Sequence, residues 1–201
     1  VIDLNRDPSG ASLYPGQATT GLCPTTTFDG TQIYRDGAEP AEAEIKRRIE
    51  AYYTPYHEAL AGLIGETVKR HGYALLFDCH SIRSAVPRLF DGRLPDFNIG
   101  SNDGASCHPA MADILSDACH AAAGLTTVVN GRFKGGWITR HYGDPAANVH
   151  ALQLELAQRA YMEETPPWTY LEAEAAKIGD ILKGALGDMI GWAQRKLGAE
   201  T

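Results

Sequence analysis

Apolar side chains recur at every third or fourth position between Ile45 and Val68. Ile45, Ile49, Tyr52, Tyr53, Tyr56, Leu60, Leu63, Ile64 and Val68 form one stripe, which predicts a helix with a buried face. Pro40 suits its first turn, with Glu42 and Glu44 near the positive end of the helix dipole. Lys69-Arg70-His71-Gly72 closes it with cations and a terminal glycine. Pro55 falls inside the stripe and predicts a kink or break there. The period then changes. Tyr73-Ala74-Leu75-Leu76-Phe77 is an unbroken apolar run and reads as a buried strand continuing through Asp78-Cys79. A helix that feeds directly into such a strand is the second half of a βαβ-type unit.

Further along, Met111, Ile114, Leu115 and Ala118 predict a helix from Pro109 to Ala122, and Thr126-Thr127-Val128-Val129 a short strand. From Val149 to Leu156 the chain alternates: Val149, Ala151, Gln153 and Glu155 share one face, and His150, Leu152, Leu154 and Leu156 the other. That predicts a third strand with Glu155 near its carboxyl end. The last helix is expected from Trp168 to Leu197, with Gly184, Gly187 and Gly191 on a face suited to close packing. Residues 7–37, 81–107 and 130–148 are rich in glycine, proline and polar side chains and read as long loops. Val1-Ile2-Asp3-Leu4-Asn5-Arg6 reads as the end of a strand, and a domain rarely opens inside its own sheet, so upstream sequence is expected to be missing. The fold class that follows is α/β: one domain over residues 1–201, a mixed central sheet flanked by helices, and long loops leaving the strand ends.

Composition narrows the classes. Hydrophobic residues make up 44% of the 201 positions, enough for a core, and charged ones 21%, too few for wholesale disorder. Eighteen basic against 25 acidic side chains give −7, which argues against nucleic-acid binding. No apolar run approaches the ~20 residues of a membrane span, and no signal peptide is evident. Cys23, Cys79, Cys107 and Cys119 contain no CxxC pair, so a reduced, cytoplasmic setting is expected, with Cys79 as a small apolar filler of its strand. Oligomeric state is not legible.

The candidate chemistry gathers at strand ends, where open α/β sheets bind ligands. Asp78 and His80 stand two residues apart on an extended backbone and point the same way. They read either as a metal ligand with an orienting carboxylate or as polar residues that simply meet water where a strand ends. Glu155 sits between Leu154 and Leu156, where a carboxylate is either a general base with a raised pKa or one half of an ion pair. Arg6, Arg83, Arg132 and Arg140 each follow a strand end. They read as surface ion pairs or as a converging set for a ligand with more than one carboxylate. His141, beside Arg140 in a polar loop, is a further candidate to line the site. The remaining histidines lack HExxH or HxxE spacing and are expected to be structural.

Eight ordered segments together resemble the N-formylglutamate amidohydrolase (deformylase) family over residues 1 to about 164: Val1–Arg6, Thr20–Leu22, Pro55–His57, Asp78–Ser84, Pro87–Asp96, Asn130–Gly136, Ile138–Gly143 and Gln153–Leu156. The resemblance implies a zinc-exopeptidase-like fold (phosphorylase/hydrolase-like), akin to carboxypeptidases and aspartoacylases. It implies release of formate from N-formyl-L-glutamate in histidine degradation. By it His80 is a zinc ligand and Glu155 the residue that activates metal-bound water; Asp78 as the partner that orients His80 rests on their spacing. By the same resemblance Asn5 and Arg6 hold a substrate carboxylate; the reading of the residues themselves adds some of Arg83, Arg132 and Arg140, with His141, as further substrate contacts. The family's other metal ligands lie upstream of the Asp3-Leu4-Asn5-Arg6 stretch, so this chain is expected to carry only part of a Zn2+ site. Two rivals remain at this level. One is a deacylase for another N-acyl amino acid, and the other is a dicarboxylate-binding module without catalysis.

Overall fold

The computed structural model describes residues 1–198. Helix α1 (Glu42–Arg48) passes through a wide π-helical turn (Ile49–Tyr53) into α2 (Thr54–His71). The expected interruption therefore precedes Pro55, whose ring crowds the carbonyl four residues back; the widened turn absorbs that clash. Gly72 ends α2 in the left-handed conformation (φ 81°), and its N–H donates to the Val68 carbonyl at 2.7 Å. The apolar stripe is less buried than its periodicity suggests. Tyr53 is buried, whereas Tyr52, Tyr56 and Leu63 are exposed, because this helix packs on the sheet chiefly along β1 (Ala74–Ile82), at the sheet's edge.

Beside β1, the sheet contains β2 (Phe97–Gly100), β3 (Thr127–Val129) and β4 (Val149–Ala157), in the order β1-β4-β2-β3. β4 runs parallel to β1 and antiparallel to β2, and β2 runs parallel to β3. The sheet is mixed, as expected. β4 lies inside it, and every residue but Leu156 is buried, the pattern of a strand covered on both faces. On one face Leu75 and Phe77 of β1, Phe97 and Ile99 of β2, and Leu152 and Leu154 of β4 pack against Met111, Leu115 and Cys119 of α3 (Pro109–His120). The same core takes in Ile178, Ala185 and Met189 of α5 (Glu172–Lys196). Each large apolar side chain sequestered there stabilises the fold by about 1.5–3 kcal/mol.

Several expectations are corrected. Residues 1–6 form turns rather than a strand. The stretch 81–107 contains β2, whose polar neighbours hide its four buried residues. The stretch 130–148 contains the short helix α4 (Trp137–Tyr142), too brief to show a period. α5 begins at Glu172 rather than Trp168, and Gly184 and Gly187 face open space, so no close packing uses them. Cys79 is exposed, because its face of β1 extends beyond the covering helices; all four cysteines are free.

The opposite face of the sheet is covered by α4 and the N-terminal loops. Gly100 makes that covering possible: a Cβ there would come within 2.5 Å of the Gly135 nitrogen, so only glycine lets the 134–135 backbone press onto β2.

Candidate active site

Because β1 and β4 are parallel and in register, Asp78 lies beside Gln153 and His80 beside Glu155. Side chains alternate along a strand, so these four polar groups share the face opposite the apolar core, at the carboxyl ends of two adjacent strands. Asn98 of β2 stands opposite Glu155 on the other side of β4.

Asp78, His80 and Asn5 form one braced cluster. The Asp78 Oδ1 lies 2.8 Å from His80 Nε2. Asn5 Nδ2 donates to Asp78 Oδ2 at 3.1 Å and lies 2.9 Å from the same imidazole nitrogen. Protonated Nε2 donates to Asp78; unprotonated, it accepts from Asn5. Burial pulls the His80 imidazolium down, but the Asp78 hydrogen bond and the charges of Asp78, Glu155 and Asp3 outweigh it, and the net shift is upward. Asn5 is held in turn by the Ile138 N–H, which donates to its Oδ1 at 2.7 Å. Its amide thus braces His80 and α4 instead of standing free for a ligand. Gly136 must be glycine here, since a Cβ would come within 2.5 Å of that amide.

Glu155 is 8% exposed. Among the described residues its carboxylate accepts no hydrogen bond and forms no ion pair; the neighbouring Asn98 Nδ2 donates instead to the Glu155 backbone carbonyl at 3.1 Å. Burial is the largest cause that lifts this carboxyl to about 7; the charges of His80 and Arg6 oppose the rise and that of Asp78 adds to it. Of the two roles open to it, the ion pair is thereby set aside.

Above this floor is a cavity of about 280 Å³. Asn5, Arg6, His80, Arg132 and Glu155 line it, and residues 10–22 of the N-terminal loop roof it. Arg6 is tied to Thr20, donating from Nε to its carbonyl at 2.9 Å and from Nη2 to its hydroxyl at 2.6 Å. Arg132 donates from Nε to the Leu89 carbonyl and from Nη2 to the Ala18 carbonyl. Its Nη1 is buried without a partner among the described residues and is closed to solvent, so the guanidinium is held in the wall by its other two nitrogens. Tyr14 sits under both Arg132 and Arg140, with guanidinium carbons 5.4 and 5.0 Å from its ring centre.

Not every candidate reaches the cavity. Asp78 stands behind His80. Arg83 turns away to an ion pair with Asp29 in the N-terminal loop. Arg140 donates to the Gly135 carbonyl at 2.8 Å and stays behind Tyr14. His141 is exposed and stacks on Trp137 at 4.7 Å. Conversely, Gln153, Gly136 and Tyr14 line the cavity without having been singled out. Gln153 had a readable signal, since it shares a strand face with Glu155. Tyr14 had none, for its contacts lie about 120 residues away in sequence.

A catalytic zinc takes three protein ligands. Among the described residues no three His, Cys, Asp or Glu side chains are gathered to hold a metal ion, and one His80 nitrogen is already shared by Asp78 and Asn5. These residues do not by themselves fit such a centre. No described helix is long and apolar enough to cross a membrane.

Two N-formylglutamate deformylases, from Pseudomonas putida and Pseudomonas aeruginosa, are each 50% identical to this chain over 196 residues, covering 98% of it and 73% of their own length. The crystal structure of N-formylglutamate amidohydrolase from Ralstonia eutropha JMP134 superposes with a TM-score of 0.75 at 29% identity, over 96% of this chain and 73% of that one. A protein from Agrobacterium tumefaciens, 19% identical with a TM-score of 0.65 over 94% of this chain and 65% of its own, shares the fold. A family model described as N-formylglutamate amidohydrolase matches residues 1–162, and the chain belongs to that family.

Proposed function

We propose that this chain hydrolyses N-formyl-L-glutamate to formate and L-glutamate. The single observation that carries the reading is Glu155: a buried carboxylate with no partner, facing a cavity beside His80. An unpaired buried carboxylate costs stability, and a pKa near 7 suits it to take and return a proton at neutral pH. Glu155 accepts a proton from a water molecule as the water oxygen adds to the formyl carbon. It then delivers that proton to the amide nitrogen as the C–N bond breaks, leaving formate and a free amine. His80, steadied by Asp78 and Asn5, borders the same space. The substrate carboxylates lie toward Arg6 and Arg132, the two arginines that line the cavity.

A zinc ion, with His80 as one ligand, belongs to the proposal on the family resemblance; it would polarise the acyl oxygen and acidify bound water. Its remaining donors would have to come from outside the described residues, and metal content measured by mass spectrometry on the purified protein tests it. Histidine degradation as the setting and a zinc-exopeptidase-like fold are proposed on the same resemblance.

The deciding experiment measures formate release from N-formyl-L-glutamate and acetate release from N-acetyl-L-glutamate, with and without added divalent metal. Preferential formate release that falls by about 10²–10⁴ in Glu155→Gln supports the reading. Preferential acetate release would make the chain a deacylase of a different specificity. Binding of L-glutamate with no turnover under any condition would make it a binding module.

A further inference from the structure

Gln153 is 4% exposed, yet lines the cavity beside Glu155. Its Oε1 accepts from the Gly136 N–H at 2.6 Å. That bond fixes which end of the amide is which, because an N–H must face the oxygen. The Nε2 end donates to nothing among the described residues, and the little surface that Gln153 keeps borders the cavity. Resting on the deformylase reading, we propose that Gln153 Nε2 donates a hydrogen bond to the acyl oxygen of the amide being cleaved, orienting it over Glu155 and stabilising the charge that gathers there.

The local charges select this oxygen over the substrate carboxylates. Glu155 lies beside Gln153 on its own face and in the same cavity, and a ligand carboxylate placed there would meet a like charge. A neutral carbonyl meets no such penalty. The carboxylates instead find their counter-charges at Arg6 and Arg132. A neutral amide is also the donor best suited to this position, since a lysine or arginine would be captured by Glu155 and suppress it as a base. The Gly136 brace means that the donor is held in place before the substrate arrives, which is what makes such a group effective as negative charge develops.

Two substitutions separate this role from a structural one. Gln153→Glu keeps an acceptor for the Gly136 N–H but loses the donor and adds charge. Gln153→Met loses the brace as well and adds no charge. The missing donor is what they have in common. Turnover of N-formyl-L-glutamate is measured alongside binding of L-glutamate, which lacks the acyl oxygen. Both variants are expected to lose about 10²-fold or more in kcat, while L-glutamate binds each within about threefold of the parent protein. Parent-level turnover by Gln153→Glu would show that the amide only braces Gly136 and would overturn the inference. Loss of L-glutamate binding in step with turnover in both variants would overturn it too. A parent protein that releases no formate refutes the deformylase reading itself, and with it the assignment of the acyl oxygen to Gln153.

Discussion

Glu155→Gln should make the protein more stable while disabling it. Burial lifts the Glu155 carboxyl from its ordinary 4.5 to about 7. An acid whose folded-state pKa is raised binds its proton more tightly in the folded chain, so ionisation works against folding. The penalty is absent below pH 4.5, grows between 4.5 and about 7, and is complete above that. At about 1.4 kcal/mol per pKa unit, the full effect is about 3 kcal/mol. Glutamine occupies nearly the same volume and never ionises. The variant should therefore match the parent near pH 4.5 and exceed it by about 3 kcal/mol at pH 8, a gap that equilibrium urea unfolding from pH 5 to 8 resolves easily. A gap that does not change with pH, or a variant that is the less stable at pH 8, would show that the carboxylate is wet or paired. Either result would remove Glu155 as the proton acceptor.

If Glu155 works as a base, kcat/KM for N-formyl-L-glutamate should rise with pH through about 7 and level off above it; a flat profile from pH 5.5 to 8.5 would remove Glu155 from that role. Arg132→Met should raise KM about 10- to 100-fold, the weight of a charged hydrogen bond, whereas Arg83→Ala, whose partner is Asp29 on the loop surface, should change KM by less than about threefold; the reverse order, read from initial rates, would put the wrong arginine in the cavity. Gly136→Ala drives a methyl into the Asn5 amide and should destabilise the fold by about 1–3 kcal/mol in the same urea titration, with a matching loss of turnover; a neutral outcome would show that Asn5 is free to move.

Much of the scaffold could be read from periodicity. The regular apolar spacing of α3 and β4 marks both to within a residue or two. β2 and α4, at four and six residues, are too short to display a period. Periodicity also overstates burial along α2, since a stripe shows that a face is apolar but not how much of the molecule is there to cover it.

The site divides along a similar line. Alternation alone put Asp78 with His80 and Gln153 with Glu155 on common strand faces, since neighbouring side chains on a strand must point opposite ways. That β1 and β4 lie side by side in register, so that His80 meets Glu155, was decided by the sheet, and the sheet is a product of long-range pairing that local pattern does not encode. The loops carry this furthest. Arg132 reaches the cavity because its guanidinium is held by Ala18, 114 residues away, and Arg83 is drawn off by Asp29, 54 residues away. Sequence spacing specifies which residues can share a face; only the path of the folded chain specifies which of them share a cavity.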